Sequence, residues 1–90
     1  ALASEMEGKC YEHIWVTLIG DQYSVCKDYY MVENGDVYMI NDGTKQPTND
    51  SLEDTNNQCL YIGKYDPNVI YERKIIYYSK EEIKALLKLD

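Results

Sequence analysis

Phenylalanine is absent from this sequence, and histidine and tryptophan occur once each, as His13 and Trp15. Long apolar runs are missing too: the longest is a few residues, far short of the roughly 20 that a membrane-spanning helix needs. No membrane partner is expected. Cys10, Cys26 and Cys59 form no CxxC pair and carry no zinc-type spacing, and the acids of residues 41–58 do not follow the EF-hand pattern. Neither a metal nor a cofactor is expected. Walker A, GxGxxG and GxSxG patterns are all missing. A Cys-His nucleophile would need His13 beside one of the cysteines, with an orienting group and oxyanion glycines that the sequence does not offer. Carboxylates are plentiful enough for glycoside hydrolysis, but no spacing selects a pair. The expectation is a non-catalytic protein in which the lone strand histidine is structural.

What the sequence has in abundance is acid and tyrosine. Sixteen Asp and Glu stand against nine Lys and Arg, a formal charge of -7. A phosphate backbone repels such a surface, so direct nucleic-acid binding is not expected. The charge is uneven: residues 1–66 hold twelve acids against four Lys, and residues 67–90 four acids against five bases. An acidic field of this kind attracts a basic partner. The cysteines read as half-buried thiols in a reducing cytoplasm. A secreted chain with one disulfide is the alternative, with Asn49-Asp50-Ser51 as an N-x-S sequon in its favour. The start, ALASEMEG, shows no signal-peptide pattern and does not decide between them.

Ninety residues with 44% apolar content make a single small domain with one modest core. Residues 1–9 lack periodicity and read as a disordered tail, so the domain is expected over 10–90. HIWVTLIG, residues 13–20, is β-branched and aromatic with apolar side chains at both parities, as in a central strand. Gly20-Asp21 after Ile19 predicts a type II′ hairpin into residues 22–33, with a bulge or bend where Lys27-Asp28 breaks the apolar pattern. Asn34-Gly35 predicts a type I′ turn that sets Glu33 opposite Asp36, Val32 opposite Val37, Met31 opposite Tyr38, Tyr30 opposite Met39 and Tyr29 opposite Ile40.

Residues 41–58 are almost wholly polar and read as a long loop, with a helix-start pattern at Ser51 to Asp54. CLYIGKY (59–65) and VIYERKIIYYS (69–79) read as strands of a second hairpin about Asp66-Pro67-Asn68. Ser79 with Glu82 forms a capping box for a final helix, whose apolar stripe of Ile83, Leu86 and Leu87, with Leu89 beside it, needs the sheet or a partner to pack against. The fold class expected is mainly β with a C-terminal helix (α+β): a five-stranded antiparallel bent sheet or small open barrel, in the order β-β-β-loop-β-β-α.

The ten tyrosines suit a half-buried sheet and a binding surface equally, since each joins an apolar plate to a polar tip. The function expected is a non-catalytic acidic module that engages a basic protein surface, as an inhibitor, immunity protein or anti-defence protein does. Tyr29, Glu33, Asp36, Tyr38, Asp50, Glu53 and Asp54 are the candidate contacts. Two alternatives stand beside it. A nucleotide- or sugar-like ligand would stack on Trp15 and Tyr61 at a barrel mouth. An accessory subunit would pack its helix on a larger assembly.

Overall fold

Two tight turns organise the centre of the fold. In the computed structural model, which describes residues 1–87, Gly20 takes φ +61° and closes a two-residue turn between β1 (Lys9–Ile19) and β2 (Gln22–Glu33). Asn34 and Gly35 both take positive φ, 52° and 80°, and join β2 to β3 (Asp36–Asn41) in the register that a type I′ turn dictates, from Glu33 opposite Asp36 to Tyr29 opposite Ile40. A third such turn, Asp42-Gly43, adds β4 (Thr44–Pro47). All strand pairs are antiparallel, and the sheet is open, with path β4-β3-β2-β1-β5, where β5 is Leu60–Lys64. The sixth strand, β6 (Lys74–Ser79), pairs with β2 over Gln22–Lys27, on the edge that β3 occupies further along.

Side chains alternate across a strand, so the register defines two faces. The front face carries Tyr11, His13, Trp15, Thr17 and Ile19 of β1 with Tyr30, Asp28, Cys26 and Ser24 opposite them on β2. The back face carries Cys10, Ile14, Val16 and Leu18 with Met31, Lys27, Val25 and Tyr23 opposite. Each face has its own core, and both cores lie at the same end of the sheet. On the front, Met6, Tyr11, Val32 and Val37 pack under α1 (Leu2–Met6) and α2 (Leu52–Gln58). On the back, Cys10, Met31, Ile40 and Tyr71 pack with Tyr29, Tyr38 and Tyr65. The other end, where β6, β2 and β1 run side by side, leaves Ile14, Val16, Leu18, Ile19, Ile75, Ile76 and Tyr77 exposed. The molecule is accordingly long, 46 × 26 × 21 Å.

Four expectations change. Residues 1–9 are not a disordered tail: Leu2 and Met6, one helical turn apart, face the front core, and Met6 is 1% exposed. Five residues give too little periodicity to read. Lys27-Asp28 makes no bulge, since the β1–β2 register runs unbroken from Cys10 opposite Met31 to Ile19 opposite Gln22. The irregularity lies instead at Cys10 and Tyr11 in the pairing of β1 with β5. Residues 41–58 are not one loop, because β4 and α2 lie within them. The second hairpin does not form either. The Asp66-Pro67-Asn68 turn is present, with Asn68 N–H donating to Asp66 Oδ1 at 2.9 Å, but β5 pairs with β1 and β6 with β2. Residues 65–73 cross the back face between them and bring in Tyr65 and Tyr71, whose rings stack at 5.7 Å.

At the open end α3 (Lys80–Leu87) begins with the reciprocal capping box: Glu82 N–H donates to Ser79 Oγ and Ser79 N–H to Glu82 Oε1, both at 3.1 Å. The sheet covers little of this helix, for Leu86 is 64% exposed and Ile83 only half-buried. Leu89 falls outside the described residues.

Because α1 is fixed through Met6, Met6→Ala will lower stability by about 2–4 kcal/mol, read as a shift in the urea-unfolding midpoint. A frayed terminus would leave the midpoint where it is.

Candidate binding cleft

The cleft forms where α2 meets the front face. Ser51 caps the helix: its Oγ accepts from Asp54 N–H at 3.0 Å, and its carbonyl accepts from the buried Thr55 hydroxyl at 2.9 Å. The preceding segment is tied to β3 through Thr48, whose N–H and hydroxyl both donate to the Val37 carbonyl, at 3.1 and 2.9 Å. Asp50 N–H in turn donates to Thr48 Oγ1 at 3.2 Å. Asp50 and Asp54 are thereby held on one side of a cleft of about 110 Å³, which His13, Tyr30, Thr55, Gln58 and Cys59 also line.

Beside it on the front face lies a buried carboxylate. Asp28 accepts from Trp15 Nε1–H at 3.0 Å through Oδ2, with Cys26 Sγ 3.9 Å from the same oxygen. Its Oδ1 lies 3.1 Å from Arg73 Nε without an aligned hydrogen bond, because that N–H donates to Cys26 Sγ at 3.3 Å. The Arg73 guanidinium also lies 5.9 Å from the centre of the Trp15 ring. Hydrogen bonding to Cys26 and, after it, the charge of Asp28 hold this arginine above its ordinary range.

The acids shape the titration of their neighbours. Burial first, then Asp28 and Asp50, push the Tyr30 phenol up to about 12. Burial and Asp50 push the Cys59 thiol up as well. The sheet thus brings His13 and Cys59 to one cleft, but the environment favours the thiol, the opposite of what an activated nucleophile requires. This potential suits a positive group.

The site residues expected from sequence divide. Asp50 and Asp54 line the cleft, and Glu53 is exposed beside them on the first turn of α2. Asp36 is exposed at the hairpin tip, where Glu33 makes an ion pair with Lys45 at 3.4 Å. Tyr29 and Tyr38 belong to the back core, with the Tyr29 ring edge-on to Tyr71 at 5.8 Å, so packing accounts for them. Trp15 and Tyr61 form no barrel mouth in this open sheet. They lie on β1 and β5, with Tyr61 opposite Tyr11 and the Trp15 nitrogen bound to Asp28. His13, Tyr30 and Gln58 were missed as cleft residues, because only the docking of α2 on β1 and β2 brings them together. A second cleft, of about 180 Å³, opens on the back between the 42–43 turn and Tyr65, Pro67, Ile70 and Tyr71. Compared with known protein families, curated proteins and solved structures, the chain matches none.

Two outcomes follow from this geometry. Cys10, Tyr11, Tyr30, Cys59 and Tyr71 all have folded pKa values raised above the ordinary 9.0 for Cys and 10.0 for Tyr. The unfolded chain therefore releases these protons first. Their contribution to stability is full below pH 9 and is lost as the pH rises from about 9 toward 12. Urea unfolding at stepped alkaline pH will show this falling limb, and Tyr30→Phe will make it shallower. Removal of the buried carboxylate in Asp28→Ala leaves the Trp15 N–H without its acceptor and will cost about 1–3 kcal/mol. That is less than for a fully buried pair, because the Arg73 side chain is 44% exposed. The emission of Trp15, the sole tryptophan, will shift in the same variant.

Proposed function

We propose that the protein is a non-catalytic binding module whose α2 cleft receives a basic side chain from a protein partner. The observation that carries this reading is the pairing of charges. Lys27, Lys45, Arg73 and Lys80 are engaged with Glu12, Glu33, Asp28 and Asp21, whereas among the described residues Asp36, Asp50, Glu53 and Asp54 make no ion pair, like Glu5, Glu7, Asp42 and Asp66, and it is the cleft that distinguishes Asp50 and Asp54 from the rest. Two of those free acids, Asp50 and Asp54, stand at a cleft whose interior already resists negative charge at Tyr30.

Size supports a side chain over a metabolite. A cleft of about 110 Å³ is well below the roughly 300–1,000 Å³ of drug-sized ligand pockets, but it suits one Lys or Arg head group. Steering by the remaining acids raises the rate at which a cationic surface arrives. Such a module fits the class of inhibitor, immunity or anti-defence proteins. The nucleotide- or sugar-like alternative has less support, since Trp15 and Tyr61 line neither of the two clefts described above.

The test is an NMR titration of isotope-labelled protein with a short peptide containing Lys and Arg, at low and at high salt. Shifts are expected to centre on Tyr30, Thr55 and Gln58 and to shrink with salt. Asp50→Asn combined with Asp54→Asn will weaken binding by about tenfold or more, while Glu33→Gln with Asp36→Asn leaves it within about twofold. Small shifts spread evenly over every acid, or binding unchanged in the Asp50/Asp54 variant, would show that the acids serve solubility alone.

A further inference from the structure

The outer edges of the sheet differ in what keeps other chains from pairing with them. β4 is four residues long and contains Lys45 and Pro47. β5 is five residues long, ends in Lys64 and has its Gly63 at φ +121°. β6 starts at Lys74, directly after Glu72-Arg73. The second half of β1 has no such device. β1 pairs with β5 only as far as Glu12, opposite Leu60, and Cys59, the next residue along, stands beside His13 at the junction with α2. Among the described residues, 15–19 (WVTLI) therefore have β2 on one side and no strand on the other. This stretch holds no charged residue, Pro or Gly, and its Val16 and Leu18 are 57% and 49% exposed.

Building on the reading of the α2 cleft as a site for Lys or Arg, we infer that this edge takes an extended segment of the same cationic partner as an added antiparallel strand. The segment places its basic side chain in the cleft. His13 and Cys59, which line the cleft, stand where the open edge begins, so a strand laid along residues 15–19 ends at the cleft. Antiparallel addition continues the line of β5 and matches every other pairing in the sheet.

The backbone pattern sets the register. A two-residue turn makes Ile19 and Gln22 a hydrogen-bonded pair, so the odd residues of β1 direct N–H and C=O toward β2 and the even residues direct theirs outward. Val16 and Leu18 thus each offer an N–H and a C=O to the added strand. Residues opposite these two put their side chains on the back face, against Val16 and Leu18, where apolar β-branched groups fit. Residues opposite Trp15 and Thr17 face the front, the side on which the cleft lies. From the position opposite Trp15, the cleft beside His13 is two residues further along, roughly 7 Å, a span that a Lys or Arg stem bridges.

Charge selects such a segment over a second copy of this chain. Asp50 and Asp54 attract a cation at the end of the added strand, and the chain's own WVTLI stretch has none to give. Two copies of charge -7 joined at this edge would leave both clefts empty.

The test uses the peptide Thr-Val-Thr-Val-Lys, acetylated and amidated, which sets Lys opposite Trp15 and the two Val opposite Val16 and Leu18. NMR and amide hydrogen exchange on the full chain are expected to show shifts at Tyr30, Thr55 and Gln58 together with new protection of the Val16 and Leu18 amides. The Trp15 and Thr17 amides, already bonded to β2, change little. Methylating the two Val nitrogens of the peptide removes the donors that face the edge and is expected to weaken binding by about tenfold or more, whereas methylating the two Thr nitrogens leaves it within about twofold. Val16→Pro, which removes an outward N–H and no bond to β2, is expected to match the first effect, with an unchanged circular dichroism spectrum showing that the fold survives. Cleft shifts without protection of Val16 and Leu18, or equal binding by the two methylated peptides, would overturn the inference and leave the cleft reading standing. Edge protection indifferent to Asp50→Asn with Asp54→Asn would overturn the cleft reading and the link between the two sites. A peptide that moves neither place would overturn both, and protection that appears without peptide as the protein is concentrated would assign the edge to a second copy instead.

Discussion

β2 is the strand from which the rest of the structure hangs, because its backbone is hydrogen-bonded on both edges along most of its length. β1 runs down one side from Gln22 to Met31, and the other side is divided between β6, over Gln22–Lys27, and β3, over Tyr29–Glu33. Asp28 is the residue between those two partners. There the crossing segment arrives and Arg73, immediately before β6, reaches the Asp28 carboxylate. A carboxylate buried at this point is costly unless it is matched, and Trp15, Cys26 and Arg73 supply the match from three different strands or their ends. The same contacts pin β6 in register with β2.

From that spine the chain can cover only half of what it builds. Its helices have five, seven and eight residues among those described, and two of them sit over one end of the front face. The back of the same end is closed by extended chain, in which Tyr65 and Tyr71 act as flat tiles against Tyr29, Met31 and Ile40. Tyrosine serves here where phenylalanine would leave a polar neighbour unmatched. Tyr71, for instance, is buried, yet its hydroxyl accepts from the Asp66 backbone N–H at 3.1 Å. Among the described residues only α3 reaches the far end of the sheet, and it leaves apolar residues of three strands exposed there on both faces.

What could be read in advance was local. Gly20-Asp21, Asn34-Gly35 and the Ser79–Glu82 capping box depend on a few adjacent residues, and the structure shows each of them. The pairings of β5 and β6 are set by competition for distant edges. The adjacent-hairpin expectation failed because the edge of β1 at Lys9–Glu12 and that of β2 at Gln22–Lys27 were both vacant. The break at Lys27-Asp28 was a real signal with a different cause: it marks a change of partner strand and not a bulge. The cleft was half legible. Asp50 and Asp54 stood out as loop acids, whereas His13 and Tyr30 join them through tertiary docking that no periodicity encodes. By pattern alone Tyr29 and Tyr38 suit a surface, because both faces of their hairpin are apolar, whereas the structure packs both against the back core.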